Sequence, residues 1–181
     1  GKPFFLFVGT LHPRKNLINL FKAFNQFKTT TKSDFKLVIV GRKMWWTSEI
    51  ENTFNGLDFK SDIIFAGRLP EQELYKITAA AHTLTYVPTF EGFGIPLVEA
   101  MSCGTPVITS NITSMPEVVE DAGFLVDPFS VDDIAKAMIT ISSDEKLRSE
   151  LVEKSKVQAK KFSWQKTGER LWASILKTID A

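Results

Sequence analysis

The sequence predicts an α/β protein, a doubly wound parallel sheet of about six strands with helices on both faces. Three observations predict it. Short apolar runs recur along the chain, and several end at a glycine, as expected of parallel strands covered on both faces. Between them lie segments whose apolar residues repeat at helical spacing. No sequence repeat and no long linker interrupts this alternation, so residues 1–181 read as a single domain.

Taken in order, residues 3–8 are a strand ended by Gly9. Leu17, Leu20, Phe21, Phe24 and Phe27 then form one helical stripe, with Asn16 as a favourable cap. Residues 35–40 with Gly41, and 63–66 with Gly67, repeat the pattern of strand then glycine. A short helix is expected over 47–54, capped by Thr47. A longer one is expected over 70–81, where Pro70 suits the first turn and Leu74, Ile77 and Ala81 share a face. Residues 84–87, 106–109 and 123–126 supply the remaining strands, with a short helix expected near Pro116. Residues 131–141 and 144–161 read as surface helices. Ser163 caps a last helix carrying Trp164, Leu171, Trp172, Ile175 and Leu176.

Composition narrows the function. A chain of 181 residues buries roughly 70% of its unfolded surface on folding, and its 44% hydrophobic content excludes a disordered chain. A net charge of +1 argues against nucleic acid as a partner and against a strong membrane field. Cys103 is the only cysteine, so no internal disulfide forms and a reducing compartment suits the chain. At the end of an expected helix it reads as a small buried thiol rather than a nucleophile. No apolar run reaches the roughly 18 residues of a membrane span, and no signal peptide opens the chain. The opening Gly1-Lys2-Pro3-Phe4 runs straight into a strand and is expected to be a cut within a longer chain.

The chemistry gathers in Glu91-Gly92-Phe93-Gly94-Ile95-Pro96-Leu97-Val98-Glu99. Gly92 and Gly94 let the backbone approach a ligand closely, and Pro96 suits the first turn of a helix. Amides from Gly92 to Leu97, at the positive end of that helix, suit phosphate or sugar oxygens. Two acids bracket the device. Glu91 is on the loop and Glu99 about one turn into the helix, where a dipole-favoured surface acid is the plainer alternative. A second cluster follows the first strand, in Gly9-Thr10-Leu11-His12-Pro13-Arg14-Lys15. Arg14 can grip two phosphate oxygens and Lys15 act as a point charge, although a solvated basic turn fits the local sequence too. Gly92-Phe93-Gly94 lacks the third glycine of a dinucleotide fingerprint and follows the fourth strand, so a nicotinamide cofactor is poorly supported. Trp45 and Trp46 are adjacent and should face different sides, with core packing the default for them.

The two glutamates in EGFGIPLVEAMSCGTPVITSN resemble the donor-site signature of retaining glycosyltransferases of the two-Rossmann-domain (GT-B) class, family four, group 1-like. The resemblance runs from FLFVGTLHPRKNL near the start to KKFSWQKTGERL near the end. It implies the C-terminal, donor-binding half of such an enzyme, with a Rossmann-like sheet and the N-terminal acceptor domain lying elsewhere in the polypeptide. By the same resemblance Glu99 holds the ribose hydroxyls of a nucleoside diphosphate sugar and Glu91 faces the sugar, where it is assigned to steadying an oxocarbenium-like transition state, with a nucleophile as the lesser alternative. Lys15 matches the lysine placed on the donor diphosphate. Many members carry an arginine directly after the glycine, where this sequence has Thr10, which leaves Arg14 as the substitute. Gly67-Arg68-Leu69 occupies the place where the family packs the nucleotide base, so Gly9, Thr10, Arg68 and Leu69 join the donor-binding set. A retaining glycosidase would instead need two carboxyl groups about 5 Å apart acting on one bond.

The resemblance further implies a hexosyltransferase, independent of metal or other cofactor, using a GDP-, UDP- or ADP-sugar. Its acceptor would be a glycan or lipid-linked hydroxyl, and its place cytoplasmic or peripheral at the inner face of a membrane. GTLHPRKN and GRKMW resemble bacterial transferases of surface polysaccharide, often mannosyl. The segment from Ser110 to Glu117 should border the donor site, and the Phe162-Ser163-Trp164 helix should leave apolar surface open when separated from the other domain. Three rivals remain: a sugar-nucleotide epimerase half-domain, a doubly wound signalling receiver, and a catalytically silent interaction module. Glycines and cations at the early strand ends, where a receiver needs acids, weigh against the second.

Overall fold

Each apolar run is long enough for four or five residues of extended chain, and in the computed structural model, which describes residues 1–179, these runs pair side by side. The strands are β1 (Phe4–Val8), β2 (Lys36–Val40), β3 (Ile63–Gly67), β4 (Thr83–Tyr86), β5 (Val107–Ser110) and β6 (Gly123–Val126). Every pairing is parallel, in the order β3-β2-β1-β4-β5-β6. That order reverses direction between β1 and β4. In open sheets of this kind the crevice beyond the carboxyl ends at such a reversal is where ligands bind.

The helices are α1 (Leu17–Thr31), α2 (Ser48–Asn55), α3 (Glu71–Ala80), α4 (Ile95–Ser102), α5 (Met115–Val119), α6 (Val131–Ser143), α7 (Glu145–Ala159) and α8 (Trp164–Ile179). Parallel strands need such crossovers, and burying both sheet faces explains why β1 and β2 are almost wholly apolar. Phe5, Leu6 and Phe7 are fully buried, and the apolar stripe of α1 is buried with them. Phe5 meets Phe27 edge-on at 5.1 Å and stacks on Phe35 at 4.9 Å, an arrangement that ring quadrupoles favour. α1 packs against α6, and α4 against α7. At the far end of α1, buried Lys28 pairs with Asp62 at 2.6 Å, and Lys36 of β2 pairs with the same carboxylate.

Local details differ from the sequence expectation for physical reasons. Asn16 precedes α1 but does not cap it through its side chain, because its backbone is left-handed (φ 62°). Its amide is drawn instead to the carbonyls of Val87 and Pro128, at 3.0 and 2.7 Å. Pro70 stands just before α3, whose first residue is Glu71. Strand limits move by one residue at several ends. Cys103 closes α4 half-buried rather than buried. Trp46 packs on Phe54 and Phe65, as core packing requires, whereas Trp45 is exposed and lies against His12. Asp180 and Ala181, the last residues of the domain expected over 1–181, lie outside the described residues.

Candidate functional site

Both clusters singled out in the sequence sit at the reversal of the sheet. The turn after β1 carries Thr10, His12, Arg14 and Lys15, and the loop after β4 carries Glu91 to Gly94. The turn is rigid: His12 Nδ1 accepts from the Arg14 amide, the Lys15 and Asn16 amides close onto His12 and Pro13, and a 3-10 turn results. The two loops are stitched together. The Thr89 amide donates to the Arg14 carbonyl at 2.9 Å, the Thr89 hydroxyl donates to the same oxygen, and Arg14 Nη1 donates to the Phe90 carbonyl. From β5 and its loop, Ser110 donates to the Pro88 carbonyl and Ser114 to the Glu91 carbonyl, at 2.7 and 2.8 Å. The segment from Ser110 to Glu117 thus underlies the glutamate loop.

At the centre, Glu91 is no exposed loop acid. Its Oε2 accepts from Arg14 Nη1 at 2.9 Å, from Tyr86 Oη at 2.7 Å and from Lys15 Nζ. Lys15 Nζ also donates to Tyr86 Oη. Burial pushes the Glu91 carboxyl up, but the hydrogen bonds from Lys15 and Tyr86 and the charges of Lys15 and Arg14 outweigh it, and its pKa is lowered. Burial lowers the Lys15 pKa, against the opposing pull of Glu91. Burial and then Glu91 push the Tyr86 phenol far up, so it stays a donor.

Beside this cluster a cleft of about 510 Å³ opens along the ends of β1, β2 and β3. Gly9, Thr10, Arg68, Leu69 and Glu99, all expected from the sequence, line it together. Arg42, Met44, Glu71 and Tyr75 line it too, and these the sequence reading did not select. Burial, and then the negative charge of Glu71, raise the Glu99 pKa. Tyr75 donates to Glu71 at 3.0 Å across one turn of α3. Such helix-surface pairs are visible only once the facing cleft is known.

The glycine loop needs two corrections. Gly94 takes φ 88° and is the cap residue just before α4, with Pro96 in the first turn as expected. The Leu97 amide, however, is already bonded to the Gly94 carbonyl at 2.9 Å, and Pro96 has no N–H to give. Among the described residues, the amides of Gly92, Phe93, Gly94 and Ile95 carry no hydrogen bond, so these alone can serve an anion. Phe93 turns its ring onto Phe162 at 5.5 Å. Leu97 is fully buried in the core. Tyr86 is the functional side chain that the sequence reading missed, counting it only as a strand residue. Its one signal was a hydroxyl at the end of an otherwise apolar and threonine strand. Among the described residues no group of three or more His, Cys, Asp or Glu could hold a metal ion, and no helix is long and apolar enough to cross a membrane.

Known proteins resemble this chain in sequence and in fold. The chain is 37% identical over 160 residues to the O-antigen chain mannosyltransferase B of Escherichia coli, covering 88% of the chain and 42% of that protein. It is 32% identical over 171 residues to the serotype-specific mannosyltransferase WbdA of Escherichia coli, covering 91% of the chain and 20% of that protein. The chain thus spans less than half the length of these relatives. Its fold matches a crystal structure of Anabaena HepE in complex with UDP and glucose, with a TM-score of 0.84 at 22% identity, covering 98% of the chain and 48% of that one. The model of glycosyl transferases group 1 matches residues 1–158. With that match spanning most of the sequence, the chain belongs to the group 1 glycosyl transferases.

Proposed function

We propose that this chain is the donor-nucleotide half of a retaining hexosyltransferase, one that moves a sugar from a nucleoside diphosphate sugar to an acceptor hydroxyl. One observation carries the reading. The switch point of the sheet gathers a ribose-type acid (Glu99), two cations (Arg14 and Lys15), a second acid (Glu91) and the open amides of a helix start. Each part of a sugar nucleotide meets its complement. Arg68 and Leu69 bound the base region, Glu99 takes the ribose hydroxyls, and the cations and the amides of Gly94 and Ile95 take the diphosphate. Glu91 is left for the sugar.

The bond from the anomeric carbon to the diphosphate breaks as Lys15, Arg14 and the helix amides stabilise the departing charge, and Glu91 supports the positive charge growing on the sugar. No metal is required in this scheme, because protein cations do that work. The mannosyl relatives favour mannose as the transferred sugar; a GDP carrier, and surface polysaccharide synthesis at the cytoplasmic side of a membrane, complete the proposal. The acceptor site, for a glycan or lipid-linked hydroxyl, lies on an N-terminal domain of the same polypeptide. The open apolar face of α8 suits contact with that domain.

Calorimetric titration of the chain with GDP, UDP and ADP, beside Glu99→Ala and Lys15→Ala, tests the reading. One nucleotide should bind saturably and each substitution should weaken it by at least about tenfold, since a hydrogen bond to a charged group is worth about 1.5–3 kcal/mol. Absence of binding to all three would overturn it. The chain alone should transfer no sugar, and detectable transfer would overturn the assignment of the acceptor site to another domain.

A further inference from the structure

Three donors converge on one oxygen of Glu91, and they are not alike. Arg14 and Lys15 are cations on the turn after β1, and the donor reading gives both of them a second duty on the diphosphate. The third donor, Tyr86 Oη, is neutral and stands at the end of β4, 2.7 Å from Oε2. Oε1 of Glu91 accepts no hydrogen bond among the described residues. When a diphosphate draws the two cations toward its own charge, their hold on Glu91 weakens, and an acid freed on a glycine-rich loop would lose its orientation. Of the three donors, only the phenol carries no charge for the diphosphate to draw away, and its ring is fixed in the core.

We propose that Tyr86 is the positioning residue of Glu91: its hydroxyl retains Oε2 while Arg14 and Lys15 move onto the donor diphosphate, so that Oε1 stays available to the sugar. Several features suit Tyr86 to this and exceed what packing needs. Its ring is fully buried and lies 5.9 Å from that of Phe7. Burial and Glu91 hold the phenol protonated at any working pH, so the donor is not lost by titration. Ser114 secures the Glu91 backbone from the other side, which leaves the side chain as the part that Tyr86 must hold. The charged groups acting on Glu91 are Lys15 and Arg14, both from the β1 turn.

The inference rests on the donor reading, and Tyr86→Phe tests the two separately, because it keeps the ring and removes only the hydroxyl. The first readout is the carboxyl carbon resonance of Glu91 in labelled chain, assigned by its loss in Glu91→Gln and titrated from neutral pH downward. Removing one hydrogen bond to the ionised form should move the Glu91 midpoint upward. With saturating nucleoside diphosphate, the displacement between wild type and Tyr86→Phe should grow, because the cations no longer compensate. Nucleotide affinity should stay within about twofold of wild type, in contrast to Lys15→Ala. A Glu91 midpoint unmoved by Tyr86→Phe, with nucleotide bound, overturns the positioning role while leaving the donor reading standing. An affinity loss matching that of Lys15→Ala also overturns it, since the hydroxyl would then act on the nucleotide itself. If wild-type chain binds no nucleoside diphosphate, the donor reading fails and the inference with it.

Discussion

Glu91 and Glu99 are two carboxylates of one loop-helix unit in opposite environments. Glu91 is surrounded by donors and its pKa is lowered, while Glu99 is partly buried, faces another acid, Glu71, and its pKa is raised. An acid whose folded pKa is raised stabilises the fold below its unfolded pKa, and that contribution is lost as pH rises through the folded value. At neutral pH the ionised Glu99 is therefore held at a cost, which is intelligible if two vicinal hydroxyls are to meet a full charge there. Glu99→Gln should melt at or above the wild-type temperature at pH 7. The difference should shrink to nothing below the ordinary carboxylate range, where both side chains are neutral. The same substitution should weaken nucleotide binding by at least about tenfold, because a neutral acceptor replaces a charged one. Scanning calorimetry across pH and a binding titration check the pair of outcomes. A lower melting temperature with unchanged affinity would make Glu99 structural.

Among the elements, the ends of β1 and β2 are held closer than side chains permit. A Cβ placed on Gly41 would lie 1.8 Å from the backbone oxygen of Gly9, and Gly41 has φ 153°. No rotamer change relieves a clash with backbone, so the two strand ends must separate. Gly41→Ala should cost on the order of 4 kcal/mol, a size reserved for such specific defects, and should reduce nucleotide binding in whatever folded fraction remains. Urea denaturation followed by titration would measure both, and a cost below about 1 kcal/mol would contradict the close approach. The glycines that end strands were legible in the sequence for this reason, as were the strands themselves. Local periodicity and local backbone demands fix them to within a residue. Lys15, Glu91 and Glu99 were legible as residues of interest through their motif. What joins them was not. The bonds from Lys15 and Arg14 to Glu91, and the diversion of Asn16 from capping to the Val87 and Pro128 carbonyls, connect positions remote in the chain. No periodicity records such pairings.

On the scale of the whole molecule, α8 is the element that the domain does not absorb. Leu171, Trp172, Ile175, Leu176 and Ile179 follow helical spacing on one face, yet Leu171 and Trp172 are 62% and 60% exposed, and no residue of α8 is buried. An amphipathic helix normally hides such a face, and a patch of this kind on a soluble surface marks an interaction site. In the chain by itself the patch should promote self-association. Trp172→Ser with Leu171→Gln should reduce binding of an apolar dye and shift the chain toward monomer in light scattering. The melting temperature should stay within about 2 °C of wild type, which at this length corresponds to less than about 1 kcal/mol. Nucleotide affinity should not change, since α8 contributes no residue to the cleft beside Glu99. A fall of several degrees would mean that α8 packs on the sheet domain after all. An unchanged oligomeric state would mean that its face is not a contact surface in this chain. Stability and binding independent of α8, with association dependent on it, would separate the two tasks of the molecule: a self-sufficient nucleotide sheet, and a helix reserved for something the sheet does not provide.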